Sequence, residues 1–314
     1  MTRASIADLI SRVDSDRLSA MLFHLCSDPL PFRKLNYTRP GASKNSLYEA
    51  DDHIQECLES SGYPVEKEAV RVQAFRCDSS KPKAHQYSPA QADDPWYTAH
   101  NIYANRSGDD RRDEIILFLA HKDSQSWVDC PGAYDNGVGT VALLEIARVL
   151  GDYEPRCTLR FLFCNEEHTP WTSVRAAEKA VARGDDYAAI YNVDSLGGKS
   201  QEDIDAGWKT NVTMFTEPEG ERFADLMAEV NETYGIGLDQ TKGRRPNPGD
   251  DDGSFIKAGF PNAVINVGSF PYADPAYHTE EDGPDRVDIG NLTMAAQASL
   301  AALLHVDLGL MEET

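Results

Sequence analysis

Residues 114–121 read EIILFLAH. The apolar run Ile115–Ala120 has neither strict alternation nor a helical period. It is too short for a buried helix, so it predicts a strand covered on both faces. A histidine follows it directly. Downstream, GVGTVALLEIARVL (137–150) has the apolar spacing of a helix, CTLRFLFC (157–164) reads as a second buried strand, and SVRAAEKAVAR (173–183) as a second helix. YAAIYNV (187–193), GERFADLMAEVNETYG (220–235), NAVINVG (262–268) and IGNLTMAAQASLAALLHV (289–306) continue the alternation. Strands alternating with helices predict an α/β fold: three layers, with helices on both faces of a mostly parallel, doubly wound sheet.

Working outward, residues 1–60 read as a helical part packed on that domain, with amphipathic stretches at 5–27 and 46–61. Residues 64–75 alternate like a strand. Residues 78–98, polar and holding Pro82, Pro89 and Pro95, read as a surface loop. No linker or repeat separates two cores, so 1–314 is expected to form one domain. The N-terminal segment interrupts its apolar residues with charges and lacks the apolar core of a signal peptide, which favours a cytoplasmic protein unless a leader precedes this sequence.

The formal net charge of -22 argues against nucleic acid or an anionic membrane as a partner. Lysine is scarce, 11 against 19 arginines, which fits a salty habitat as well as an ordinary acidic surface. The six cysteines are scattered, without a CxxC pair, and are expected to be free thiols.

The candidate chemistry gathers at strand ends. His121 follows the first strand, Glu166 and Glu167 the second, and Asp194 the third, while Asp135 opens the helix at 137–150. Open α/β sheets bind ligands beyond the carboxyl ends of their strands. Each residue alone has an ordinary explanation, such as a core histidine, a helix cap or a solvated strand end. Together they are nitrogen and oxygen donors suited to zinc. Asp123, two residues past His121, is placed to orient the imidazole, and Asp135 to bridge two ions. In the Glu166–Glu167 pair, one carboxylate is expected to bind metal while the other acts as a general base.

The ordered set His-Lys-Asp (121–123), Asp-Asn-Gly (135–137), Glu-Glu (166–167), Asp194 and Tyr-His-Thr (277–279) resembles metallopeptidase family twenty-eight, the co-catalytic zinc aminopeptidases. The resemblance runs from about residue 46 to 308. It implies the zinc-peptidase type of α/β fold and two Zn2+ per chain. His121 and Asp194 would hold one ion, Glu167 and His278 the other, and Asp135 would bridge them. It also implies Glu166 as base, Tyr277 as a carbonyl-polarising group, and a cis peptide at Asp135–Asn136. The implied activity is release of an N-terminal amino acid from a peptide or aminoacyl substrate. Alternatives on the same fold are a carboxypeptidase, with Arg244–Arg245 as a carboxylate clamp or merely a solvated loop, a glutaminyl cyclase-like enzyme, and an inactive binding module. The sequence departs from the family pattern at Lys122, His168, Trp171 and the run Asp250-Asp251-Asp252.

Overall fold

The run at 115–120 is the inner part of a central strand, and its side chains divide between the two faces of a sheet. Ile116, Phe118 and Ala120 enter one apolar cluster, whereas Ile115, Leu117 and Leu119 enter another. Helices on each side complete these clusters, giving the three layers expected from the sequence. The structure, a computed structural model, describes residues 3–311. Positions 1, 2 and 312–314, which the spans 1–60 and 1–314 include, lie outside the described residues.

In chain order, α1 (Arg3–Ser11), α2 (Ser15–Cys26) and α3 (Ser46–Ser60) precede β1 (Val65–Ala74) and the two-residue β2 (Arg76–Cys77) and β3 (Tyr87–Ser88). Then come β4 (Tyr97–Arg106), β5 (Arg111–His121), α4 (Val138–Val149), β6 (Cys157–Cys164), β7 (His168–Thr169), α5 (Thr172–Arg183) and β8 (Asp186–Val193). The chain continues with α6 (Gln201–Asp205), β9 (Thr210–Phe215), α7 (Pro218–Thr233), β10 (Asp239–Arg244), α8 (Asp250–Lys257), β11 (Ala263–Val267) and α9 (Ile289–Leu308).

Nine strands form one sheet in the order β10-β9-β11-β8-β5-β6-β4-β1-β7. Its centre is parallel, with β5 between β6 and β8 and β11 beside β8. The pairs β1–β4, β4–β6, β9–β11 and β1–β7 are antiparallel. The sheet is therefore mixed, with a parallel core. In register, His121 faces Cys164 and Leu119 faces Asn192, so the residues leaving β5, β6 and β8 emerge level with one another.

Helix α4 is buried along nearly its whole length and packs against α2, α3 and α9. Helix α9 is capped by Asp288, which accepts from the Asn291 N–H, and ends at Gly309 in a left-handed conformation. It is the one helix among the described residues long and apolar enough to cross a membrane, but 72% of its most apolar window is buried inside the protein. That is the signature of a core helix.

Several local readings change. The stretch 5–27 is two helices, because Asp14 breaks off α1 and caps α2 by accepting from the N–H groups of Asp16 and Arg17. Strands β4, β9 and β10 and helix α8 were not expected. The first lies where periodicity is weak, β10 is a polar edge strand, and α8 is short and opens with three aspartates. Residues 78–98 contain a 3-10 turn (Lys83–His85) and β3, and this segment reaches the candidate site instead of simply covering the surface.

At the α2–α3 contact the rings of His24 and His53 stack at 4.0 Å. Burial and the neighbouring His24 lower the His53 pKa to about 4, and burial, then Arg39, lower that of His24. The unfolded chain thus binds more protons here between about pH 6.5 and 4, so stability contributed by the neutral pair falls as pH drops through that window. His53→Gln should flatten the acid limb of Tm against pH. Discounted for partial exposure, the difference between pH 7 and 4.5 should be about 2–4 °C. Parallel Tm curves for the two proteins would refute this.

Candidate metal centre

Each strand end delivers one side chain to a common point. His121, the last residue of β5, has its Nε2 3.0 Å from Asp135 Oδ1 and 3.5 Å from Asp194 Oδ1. His278 has its Nε2 2.8 Å from Asp135 Oδ2 and 3.4 Å from Glu167 Oε1. Asp135 therefore presents one carboxylate oxygen to each imidazole. The donors fall into two groups, His121–Asp135–Asp194 and Asp135–Glu167–His278, each with its donor atoms within 4.8 Å of one another. All five side chains are buried.

The remaining ring nitrogens are fixed. His278 Nδ1 lies 2.9 Å from the Ala84 carbonyl, and His121 Nδ1 lies 3.2 Å from the Asp123 carbonyl and 3.3 Å from Asp123 Oδ1. With a metal bound, Nδ1–H donation to those oxygens would leave each Nε2 lone pair free to coordinate it, the tautomer a metal ligand needs. The Asp123 carboxylate does more than orient His121. It accepts from the backbone N–H groups of Glu166 and Glu167, both at 3.0 Å, and lies 2.7 Å from His168 Nδ1. Burial opposes its ionisation, yet the imidazoles of His121 and His168 hold its pKa well below the usual carboxylate range.

The turn that carries Asp135 is built for position. Residues 133–137 form an irregular turn before α4, with Asp135 at φ -120° and Asn136 at φ -130°, and the Asp135–Asn136 peptide is cis. Asn136 Nδ2 donates to the Val193 carbonyl, and its Oδ1 accepts from Ser195 N–H, which ties this turn to the one carrying Asp194. Asp282 accepts from Tyr134 N–H at 2.9 Å and Asp135 N–H at 3.1 Å. Sequence reading did not single out Asp282, although it lies in the same acidic loop as His278.

Other contributors were also missed. Gln125 Nε2 donates to Asp135 Oδ2 at 3.0 Å and to Glu167 Oε1 at 2.9 Å. Tyr272 donates its hydroxyl to Asp194 Oδ2 at 2.9 Å and stacks on Tyr277, which stacks on His278 at 3.8 Å. Lys122 turns away from the donors, pairing with Asp51 at 2.7 Å and Asn165 at 2.8 Å. Arg245, rather than lying in a solvated loop, is buried and paired with Asp250 and Asp252. Arg244 donates to the Thr216 carbonyl.

A cavity of about 190 Å³ opens over these groups. Its floor is the donor set with Glu166. Phe75, Tyr87 and Trp127 wall the side nearest His278, with Trp127 and Tyr87 edge-on to that imidazole at 5.1 and 5.8 Å. Trp171, Asp250 and Tyr277 complete the lining. Among the described residues no lysine or arginine lines it. Glu166 Oε2 is buried without a hydrogen-bond partner. Burial, then the nearby Asp251 and Asp250, push the Glu166 pKa well above the usual range.

Four carboxylates so close together, Asp135, Glu166, Glu167 and Asp194, are costly without positive charge; although burial opposes it, they push the His121 and His278 pKa values well above the usual imidazole range. Two divalent ions would supply that charge, and the donor chemistry, two imidazoles and three carboxylates, fits zinc. Among the described residues, the three non-glycine positions with left-handed φ are Ser195, Asp250 and His278, at +45°, +54° and +58°. All three border this centre. Strain of about 1–3 kcal/mol per such residue persists where the surrounding structure enforces it, commonly at functional sites.

The model for peptidase family M28 matches residues 101–303. The chain is 26% identical over 258 residues to leucine aminopeptidase 1 of Leptosphaeria maculans, covering 78% of this chain and 65% of that protein. It thus spans a little under two thirds of that relative's length. In structure it is similar to an aminopeptidase from Aneurinibacillus sp. strain AM-1, with TM-score 0.71, 16% identity and 96% of each chain covered. It is also similar to the glutaminyl cyclase of Bacteroides thetaiotaomicron, with TM-score 0.69, 18% identity, and 93% of this chain and 97% of that one covered.

Proposed function

The chain belongs to peptidase family M28, and from that premise we propose that it is a two-zinc aminopeptidase releasing the N-terminal residue of peptides. The observation that carries the reading is the divided carboxylate of Asp135, with one oxygen 3.0 Å from His121 Nε2 and the other 2.8 Å from His278 Nε2. In this proposal His121, Asp135 and Asp194 hold one ion and Asp135, Glu167 and His278 the other. Bound there, the ions would polarise the substrate carbonyl and lower the pKa of water.

The chain's own residues supply the rest. Glu166, whose Oε2 has no partner within the protein, takes the proton of the attacking water and returns it to the leaving amine. Asp123 holds the backbone of Glu166 and Glu167 and so sets where that oxygen lies. Tyr277 donates to the developing oxyanion; its stacking on His278 and its place in the cavity lining support that role.

A carboxypeptidase needs a cation for the substrate carboxylate. Arg245 is committed to Asp250 and Asp252, which disfavours that alternative. The similarity to a glutaminyl cyclase keeps that chemistry as the second reading; a full second donor group around His121 and Asp194 favours the two-metal one.

Zinc-reconstituted protein should hold two ions per chain by elemental analysis. It should hydrolyse aminoacyl p-nitroanilides with a free amine at least roughly a hundredfold faster than their N-acetylated forms, and chelation should abolish the activity. One tight ion per chain, or cyclisation of N-terminal glutamine without hydrolysis, would overturn the proposal.

A further inference from the structure

We propose that Asp250 and Trp171 form a subsite selecting an N-terminal residue with a cationic side chain, lysine or arginine; this rests on the aminopeptidase reading and names its substrate class.

The charge balance comes first. Asp135, Glu167, Asp194 and Glu166 together carry four negative charges, which two divalent ions neutralise. Asp250 lines the same cavity and is not needed for that balance. Arg245 is shared between two carboxylates, Asp250 and Asp252; burial pushes Asp250 up to about 6 and Asp252 up to about 7, so one guanidinium leaves a net negative charge once the pH is above about 7. Only Asp250 is within reach of a ligand. Its side chain is 20% exposed, whereas that of Asp252 is 0% exposed. Arg245 Nη1, 2.5 Å from Asp250 Oδ2, holds the carboxylate in place. With no lysine or arginine lining the cavity, the cation that answers this charge has to come with the substrate.

The second observation is an indole in the same cavity lining. Trp171 immediately precedes α5, and Asp250 is the first residue of α8. These two helices pack together and are joined through Ser173 Oγ and Ser254 Oγ at 2.9 Å, so Trp171 and Asp250 reach the cavity lining from neighbouring helices. An α-ammonium next to the scissile bond brings no alkyl stem to lie along an indole. A cation on an alkyl stem uses both groups, with the stem and charge lying on the ring and the end reaching the carboxylate. Phe75, Tyr87 and Trp127 supply an aromatic lining near His278.

The test compares lysine with norleucine, which has a similar stem but no charge, as p-nitroanilides for turnover and as hydroxamates for binding by calorimetry, all on zinc-loaded protein. Wild type should favour lysine over norleucine by roughly 10–100-fold in both kcat/KM and affinity, mostly through KM. In Asp250→Asn the lysine-to-norleucine ratio should fall to within about twofold of one. Asparagine tolerates a left-handed φ, and an unchanged Tm would show that the fold is kept. Trp171→Leu should lower the ratio several-fold while retaining the carboxylate.

A wild type that treats lysine and norleucine alike, or an Asp250→Asn protein that keeps the full ratio, overturns the inference. Hydroxamate discrimination without hydrolysis of any free-amine amide would leave the subsite standing and sink the aminopeptidase reading instead.

Discussion

Glu166→Gln should retain both metal ions and the fold while kcat falls by about 10²–10⁴-fold, the usual worth of a positioned proton shuttle. The amide is nearly isosteric and removes only the ability to take a proton. Glu166 is not in either donor group, so metal content should not depend on it. Its backbone N–H is held by Asp123, which the substitution leaves untouched. Glu167→Gln should behave differently. Its Oε1 lies 3.4 Å from His278 Nε2 and accepts from Gln125, so the change strikes the donor group first, and activity should fall together with metal occupancy. Metal content and initial rate, measured side by side on both variants, separate the roles. A fully loaded Glu166→Gln protein with wild-type rates would eliminate the base assignment.

The donor set was legible in the sequence because it sits where apolar runs stop. A buried strand has to end, and a polar residue directly after it emerges at the sheet's edge. His121, Glu167 and Asp194 follow that rule. His278 does not. It lies in a loop, and the residues themselves offered no spacing argument for it; only the resemblance did. The three-layer architecture was legible for the same reason, since the inner parts of β5, β6 and β8 that lead to the site are buried on both faces.

What the sequence concealed depends on partners distant along the chain. Asp282 meets the amides of Tyr134 and Asp135 through the tertiary fold, and nothing local to HTEEDGPD announces it. Lys122 departs from the family pattern beside His121. It turns away because Asp51 on α3 waits 2.7 Å from its ammonium. The acidic run at 250–252 could be seen, but not the different fates of its members. Asp251 accepts from the buried Cys164 thiol, Asp252 is sealed against Arg245, and Asp250 reaches the cavity. Helix α8 sorts the three by direction, and its start was not readable from so short and acidic a segment.

Asp135→Ala and His278→Ala should differ in kind. Asp135 contributes an oxygen to both donor groups, so removing its carboxylate leaves His121 with Asp194 alone and His278 with Glu167 alone. Both ions should be lost or held weakly, and activity should fall by more than about a hundredfold, beyond the range typical of groups that merely support a ligand. His278→Ala spares the group His121–Asp135–Asp194 intact. That variant should keep close to one ion per chain and lose most of its hydrolysis. Neither change removes the bonds that shape the 133–137 turn, because Asp282 grips backbone N–H groups rather than the Asp135 side chain. Circular dichroism of the metal-free variants should therefore match wild type. Zinc titration monitored by calorimetry would then show no tight site for Asp135→Ala and one for His278→Ala. If both variants instead bind two ions with small, equal losses of affinity, Asp135 does not bridge.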